Sequence, residues 1–302
     1  MESLEILRNQ EIKDYNELVE KYLQYIDVSN ATEKEYYTGI KLFFQYCNLN
    51  NIDNVTRQDI IDYRNYLQQQ EKAANTINLY LTSIKNFFKW LDFEGIYKDI
   101  SKNIKALPVE NTHIRESLDI DQVKLLLDNC QNDKEKLIIT LAITTGIRCN
   151  EMCNIRIKDF VNKNGTNCLY VLGKARKGMK TDFVVIPDNV LQQVKEYINN
   201  NDITDYLFVS TSNNNKGNAI STRTMRDIVN KIYERAGIKN ENVVFHSLRH
   251  SFATISIKNG SDIREVSQSL RHKSVATSMI YIHDLEMTEN KCSNNISNLL
   301  FV

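Results

Sequence analysis

From Asp14 to about Gly95, apolar residues recur three and four apart, and no alternating apolar–polar run interrupts them. That period puts an apolar stripe along one side of each helix, so every helix here must bury a face against another. Helices are predicted over Asp14–Ile26, Thr32–Cys47, Arg57–Gln70 and Ala74–Phe93, with Asn30, Thr56 and Asn75 as start signals. Four such helices with no strand pattern restrict residues 14–100 to a helical bundle domain. The polar residues 1–13 are expected to be flexible. Residues 101–115 read as a linker, with Pro108 breaking regular structure.

The pattern after residue 115 is different. Leu118–Cys130 reads as a helix with Asp119 or Asp121 near its start. Asp133–Thr145 carries the apolar run LIITLAI and is expected to be buried. Gly146 then turns the chain and positions Arg148. Between Ile155 and Pro187 short β-type runs appear, with Asn164–Gly165 as one turn and a basic turn over Lys174–Lys180. They predict a three-stranded antiparallel sheet. Helices resume over Asn189–Asn199, Ser221–Ala236 and Phe245–Asn259, and a terminal helix is expected over Thr288–Leu300. The predicted fold is mainly α with a small antiparallel β-sheet: an N-terminal four-helix domain and an α+β domain over residues 116–302.

The chemistry concentrates in Val244–Asp284. His246 and Arg249 are three apart, so on a helix they share a face. An imidazole beside a guanidinium suits a phosphate, because Arg presents a planar fork of donors matching two oxygens. Gly260 ends that helix, Ser261 and Asp262 are candidate caps for the next, and His272 and Tyr281 follow. Far upstream, Arg148 closes the apolar helix. An Arg there is costly to desolvate and needs an anionic partner. Glu151, three residues on, can serve internally while Arg148 faces a phosphate. Two Arg, two His and a Tyr can together attack a phosphodiester without a metal.

These blocks, TTGIRCNE, GKARKGMK, HSLRHSFAT and LRHKSVATSMIYIH, resemble those of the tyrosine recombinases, the phage-integrase and Xer-type family. The family pattern runs TGxR..E, a hairpin Lys, HxLRH, LGHxS and xxYxH, in this order. The resemblance covers roughly residues 14–290. It implies a catalytic set of Arg148, Lys174, His246, Arg249, His272 and Tyr281. Tyr281 would attack the scissile phosphate to form a 3′-phosphotyrosyl bond, and Lys174 would protonate the leaving 5′ oxygen, with Lys177 as the alternative hairpin lysine. His250 rivals His246 at i+4, and the family pattern gives it a packing role. Arg271 stands where the family usually has Gly, which suggests a backbone without positive φ there, and it is also a candidate phosphate contact.

The resemblance further implies a helical domain that clamps one face of a duplex, with Lys85 and Lys89 reaching the DNA backbone and Arg176 and Lys177 contacting it from the hairpin. Those lysines on an aromatic-rich helix also fit a solvated outer face. Implied partners are double-stranded DNA with inverted-repeat core sites and three further copies of the chain in a homotetramer on two sites. The need for an accessory DNA-binding protein stays open. The two-domain layout is Xer-like, or that of a mobile-element enzyme. A type IB topoisomerase and a non-catalytic DNA-binding regulator are the alternatives; the intact six-residue set argues against the second.

Composition constrains without deciding. Net charge is zero, which does not advertise nucleic acid, yet residues 1–115 carry about −3 and residues 116–302 about +3. Phosphate contacts form at one face, so the cluster Lys174, Arg176, Lys177 and Lys180 suffices. No apolar run is long enough to span a bilayer, and MESLEILRNQEIKD lacks a secretory pattern, so a cytoplasmic location is expected. The six scattered cysteines read as free thiols. Neither a P-loop nor an acidic metal cluster is present in the sequence, and no cofactor or metal is expected.

Overall fold

The computed structural model describes residues 12–109, 116–172, 182–213, 216–272, 274–275 and 278–279. The chain divides into two compact units, Met1–Thr112 and His113–Val302.

The first unit is helical: α1 Ile12–Tyr25, α2 Asn30–Leu49, α3 Arg57–Gln69 and α4 Ala74–Phe93. Helix α2 begins at Asn30 itself, two residues before the expected Thr32. Ser29, not Asn30, is the cap, and its hydroxyl accepts from Thr32 N. Thr56 caps α3 as expected, its N–H and hydroxyl both donating to Asp59 Oδ2. At α4 the preceding residue is Ala73, with no side-chain cap, so Asn75 is not the start signal. The core holds Ile40, Phe43, Tyr63, Leu81, Ile84, Phe87 and Phe88, each under 2% exposed. Burying each such side chain stabilises the unit by about 1.5–3 kcal/mol before entropy is counted. Gly39 lets α2 meet α4 closely, since a Cβ there would lie 2.3 Å from Ser83 Oγ and 3.1 Å from Tyr80 Cα.

Part of the segment read as linker runs back over this unit. Ser101 and Ile104 are buried, Asn78 exchanges two hydrogen bonds with the Leu107 backbone, and Tyr97 donates to the Val55 carbonyl.

The second unit comprises α5 Ile120–Asp128, α6 Asp133–Thr145, α7 Cys149–Cys153, α8 Asp188–Asn200, α9 Thr222–Arg235, α10 Phe245–Lys258 and α11 Ile263–Ser269. Its sheet is antiparallel in the order β1 Phe160–Lys163, β2 Thr166–Val171, β3 Asp182–Val185. Asn164 and Gly165 both take positive φ, the conformation a tight two-residue hairpin requires. Asp119 caps α5 through the N–H groups of Asp121 and Gln122. Helix α6 is the axis of the unit: Leu137, Ile138, Ile139, Leu141 and Ala142 are buried around its circumference. A helix apolar on all sides must be wrapped, and α5, α8, α9 and α10 all pack on it. Among the described residues, no helix is long and apolar enough to cross a membrane.

Candidate active site

Helix α6 ends at Gly146, whose left-handed backbone (φ 58°) turns the chain out of the core. Arg148 follows and stands immediately before α7. Glu151, on the first turn of α7, is 5% exposed. Its Oε2 accepts from Arg148 N at 2.8 Å, and its Oε1 accepts from Arg148 Nη1 at 2.8 Å. The internal ion pair anticipated for Arg148 is therefore formed, and it fixes the guanidinium whose side chain remains 27% exposed.

Arg249, on α10, is the largest fully buried side chain among the described residues. Its Nη1 donates to the Gly146 carbonyl and its Nη2 to the Leu270 carbonyl, each at 2.5 Å. Those carbonyls lie two residues before Arg148 and two before His272. One guanidinium thus ties together the two loops that carry the other candidates. His246 lies one turn before Arg249 and is half-buried. Its ring meets His250 edge-on, with centroids 4.8 Å apart. His272 Nδ1 is 2.7 Å from Ser278 Oγ, a hydrogen bond that sets the ring's orientation.

Arg271 corrects one expectation. Its φ is +55°, so the non-glycine side chain did not signal an ordinary backbone. The cause is the way α11 ends. Arg271 N donates to the Gln268 carbonyl and His272 N to the Ser267 carbonyl, the paired bonds of a helix terminus that needs a left-handed residue. The chain ends α4, α9 and α10 with Gly95, Gly237 and Gly260 at the equivalent position, and α2 and α3 with Asn51 and Glu71. A Cβ in that conformation costs about 1–2 kcal/mol. The Arg271 side chain, 8% exposed, turns inward, and its Nη2 donates to Glu151 Oε2 at 2.6 Å. Burial draws the guanidinium pKa below its usual value, with Glu151 opposing and Arg148 reinforcing that shift. Two guanidiniums on one carboxylate leave the cluster with a net charge of +1, suited to an anion. Arg271 also lines a groove of about 610 Å³ with Thr144, Thr145, Asp182, Phe252 and Gln268.

The structure therefore brings Arg148, His246, Arg249 and His272 into one unit, with Arg249 joined directly to the loops that carry Arg148 and His272. Lys174, Arg176, Lys177 and Tyr281 lie outside the described residues. In the helical unit, Lys85 Nζ donates to the Ile104 carbonyl, while Lys89 is exposed. Sequence reasoning did not single out Ser278 and gave Arg271 no structural task. The first has no periodic signal six residues beyond His272, and the second acts on a partner 120 residues away. Among the described residues, no group of three His, Cys, Asp or Glu side chains could hold a metal ion.

Comparison with known proteins places this geometry. The sequence pattern of the phage integrase family matches residues 116–287, and that of the phage integrase N-terminal SAM-like domain matches residues 16–93. Tyrosine recombinase XerA of Pyrococcus furiosus is 29% identical over 271 residues, covering 88% of this chain and 89% of its own. Among solved structures, XerH site-specific recombinase bound to palindromic difH substrate superposes with a TM-score of 0.68 at 22% identity, over 88% of this chain and 79% of its own. A lambda integrase tetramer bound to a Holliday junction superposes with a TM-score of 0.64 at 18% identity, over 88% of this chain and 76% of its own. At such identities the two structures speak to the fold. With both of its units matched, the chain belongs to the phage integrase family, the tyrosine recombinases.

Proposed function

We propose that this chain is a site-specific recombinase that breaks and rejoins double-stranded DNA through a 3′-phosphotyrosyl intermediate. The observation that carries the reading is the pair of bonds from Arg249 to the Gly146 and Leu270 carbonyls, which joins the loops bearing Arg148 and His272. Rigid placement of cationic donors is what a phosphoryl-transfer site needs, because its main task is to stabilise charge that develops in the transition state.

In this reading the Tyr281 hydroxyl attacks the scissile phosphorus. A P–O bond forms to the tyrosine as the bond to the 5′ oxygen breaks. Arg148 and Arg249 neutralise the non-bridging oxygens. A free tyrosine ionises near pH 10, so His246 and His272 assist removal of its proton. Lys174 protonates the departing 5′ oxygen; Lys177 is its alternate on the same turn. Rejoining reverses these steps with a 5′ hydroxyl from the partner strand, and the covalent bond conserves the phosphodiester energy without ATP, a cofactor or a metal.

The helical domain (residues 14–100) and the catalytic domain (116–302), joined by residues 101–115, hold the duplex. Lys89, Arg176 and Lys177 make backbone contacts. Lys85 joins them only by giving up the Ile104 carbonyl. Inverted-repeat core sites bound by a homotetramer fit the family assignment, as does action in the cytoplasm. The test begins by selecting DNA from a library of randomised inverted repeats. Two direct copies of the recovered site in one plasmid are then incubated with the protein. Two smaller circles are expected. Relaxed topoisomers alone would point to topoisomerase action, and binding without any change in topology to a regulator.

A further inference from the structure

We propose that Arg271 is a positioning residue for cleavage, holding Glu151 so that Glu151 in turn holds the Arg148 guanidinium toward the phosphate. The inference rests on the recombinase reading above and adds a residue that the six-member set does not contain.

Three observations carry it. First, Glu151 is a relay: Arg148 engages both its oxygens, and Arg271 shares Oε2 with the Arg148 backbone N–H. A buried carboxylate with one guanidinium can rotate about its side-chain torsions. The Arg271 guanidinium, from a loop 120 residues away, adds a donor to Oε2 and holds the carboxylate from a second element. Second, Arg271 is held where a glycine would be less strained. Among the described residues, three other helices end with glycine in the same left-handed position, while Asn51 and Glu71 occupy it at the ends of α2 and α3. A side chain kept in a strained backbone conformation points to a task done by that side chain. Third, Arg271 is anchored from its own loop. Its Nη1 donates to the Ser269 carbonyl at 3.0 Å, and its backbone N–H closes the end of α11, one residue before His272. The contact therefore couples the loop of His272 to α7, the helix of Glu151 that Arg148 immediately precedes, parallel to the coupling that Arg249 makes. Among the described residues, Arg271 Nε is buried without a hydrogen-bond acceptor, so the side chain keeps its place although one donor is unsatisfied there.

The direct alternative is that Arg271 binds phosphate itself, since it lines the 610 Å³ groove. The two roles differ in what a substitution changes. A positioning residue alters the rate once DNA is bound; a phosphate contact alters affinity and its salt dependence.

Full-length wild type, Arg271→Gly, Arg271→Lys and Glu151→Gln, and the double variant of Arg271→Gly with Glu151→Gln, would be compared on a nicked duplex carrying the selected site. Covalent adduct formation is timed at saturating DNA, and DNA affinity and melting temperature are measured alongside. Arg271→Gly suits the left-handed backbone, and Arg271→Lys keeps the charge if the glycine variant folds poorly. Arg271→Gly is expected to slow adduct formation by about tenfold to a hundredfold with affinity changed by less than about threefold, and Arg271→Lys to recover part of the rate. The double variant should be no slower than Glu151→Gln alone. Wild-type rate in Arg271→Gly, or a loss confined to affinity, would overturn the proposal and leave the recombinase reading standing. A wild type that binds the site but forms no adduct would overturn that reading, and the proposal with it.

Discussion

Arg249 donates to the carbonyl oxygen of Gly146 at 2.5 Å, across 103 residues of sequence, and the same side chain reaches the Leu270 carbonyl. The residue that the sequence marks as a phosphate ligand is therefore also a structural clamp. Arg249→Met keeps much of the volume but leaves both buried carbonyls without this donor. At about 1–3 kcal/mol for each unsatisfied group, the second unit should lose about 2–6 kcal/mol in urea denaturation. Adduct formation should fall by more than about a hundredfold at temperatures where the variant is folded. An unchanged denaturation midpoint would show that the clamp adds nothing to stability.

Gly146 sets the geometry on the other side of that bond. Its φ is +58°, and a Cβ would come within 2.7 Å of Leu270 Cδ2 and 2.8 Å of Phe252 Cδ1. Gly146→Ala combines a left-handed alanine with overpacking, together about 2–5 kcal/mol of destabilisation. Because Arg148 is two residues on, cleavage should slow further than the folded fraction accounts for. Cleavage that simply tracks the folded fraction would mean that the turn is a structural stop with no bearing on Arg148.

Alkaline pH should loosen the helical unit. Burial pushes the Cys47 thiol up to about 12, with Asp59 adding to the shift, and burial also raises Tyr22 and Tyr63. Each group is neutral in the folded state and ionises more readily when unfolded. Its contribution is complete below the unfolded pKa, near 9 for Cys and 10 for Tyr, and is lost as pH rises toward the folded value. The single tryptophan, Trp90, lies in this core, so its fluorescence reports the unit directly. The urea midpoint should stay level to about pH 9 and decline above it. A midpoint that rises between about pH 9 and 11 would contradict the sign of these shifts.

How much of this was legible depends on whether the signal was local. The run LIITLAI marks α6 as buried because a helix apolar on all sides has no other place to go. Asp119, Thr56 and the Asn164–Gly165 turn show themselves because caps and tight turns draw on few residue types. Ser29 and Asn30 are both good caps in adjacent positions, and local chemistry could not rank them. Arg271 misled for a different reason. A left-handed Arg is disfavoured locally, and what holds it there, Glu151, is 120 residues away. Lys85 likewise looked like an outward-facing cation until the returning segment brought the Ile104 carbonyl to it. The chemistry-bearing residues were visible as separated blocks; the bonds that join them were not.

Covalent trapping tests the central claim most directly. Wild type and Tyr281→Phe would be incubated with the nicked selected duplex, with and without EDTA, and denatured to isolate protein-linked DNA. The account predicts detergent-resistant adducts with wild type in both conditions, and equal DNA binding but no adduct with Tyr281→Phe. Adducts in both proteins would show that another residue is the nucleophile, and a wild type that binds DNA yet never becomes linked to it would contradict the account outright.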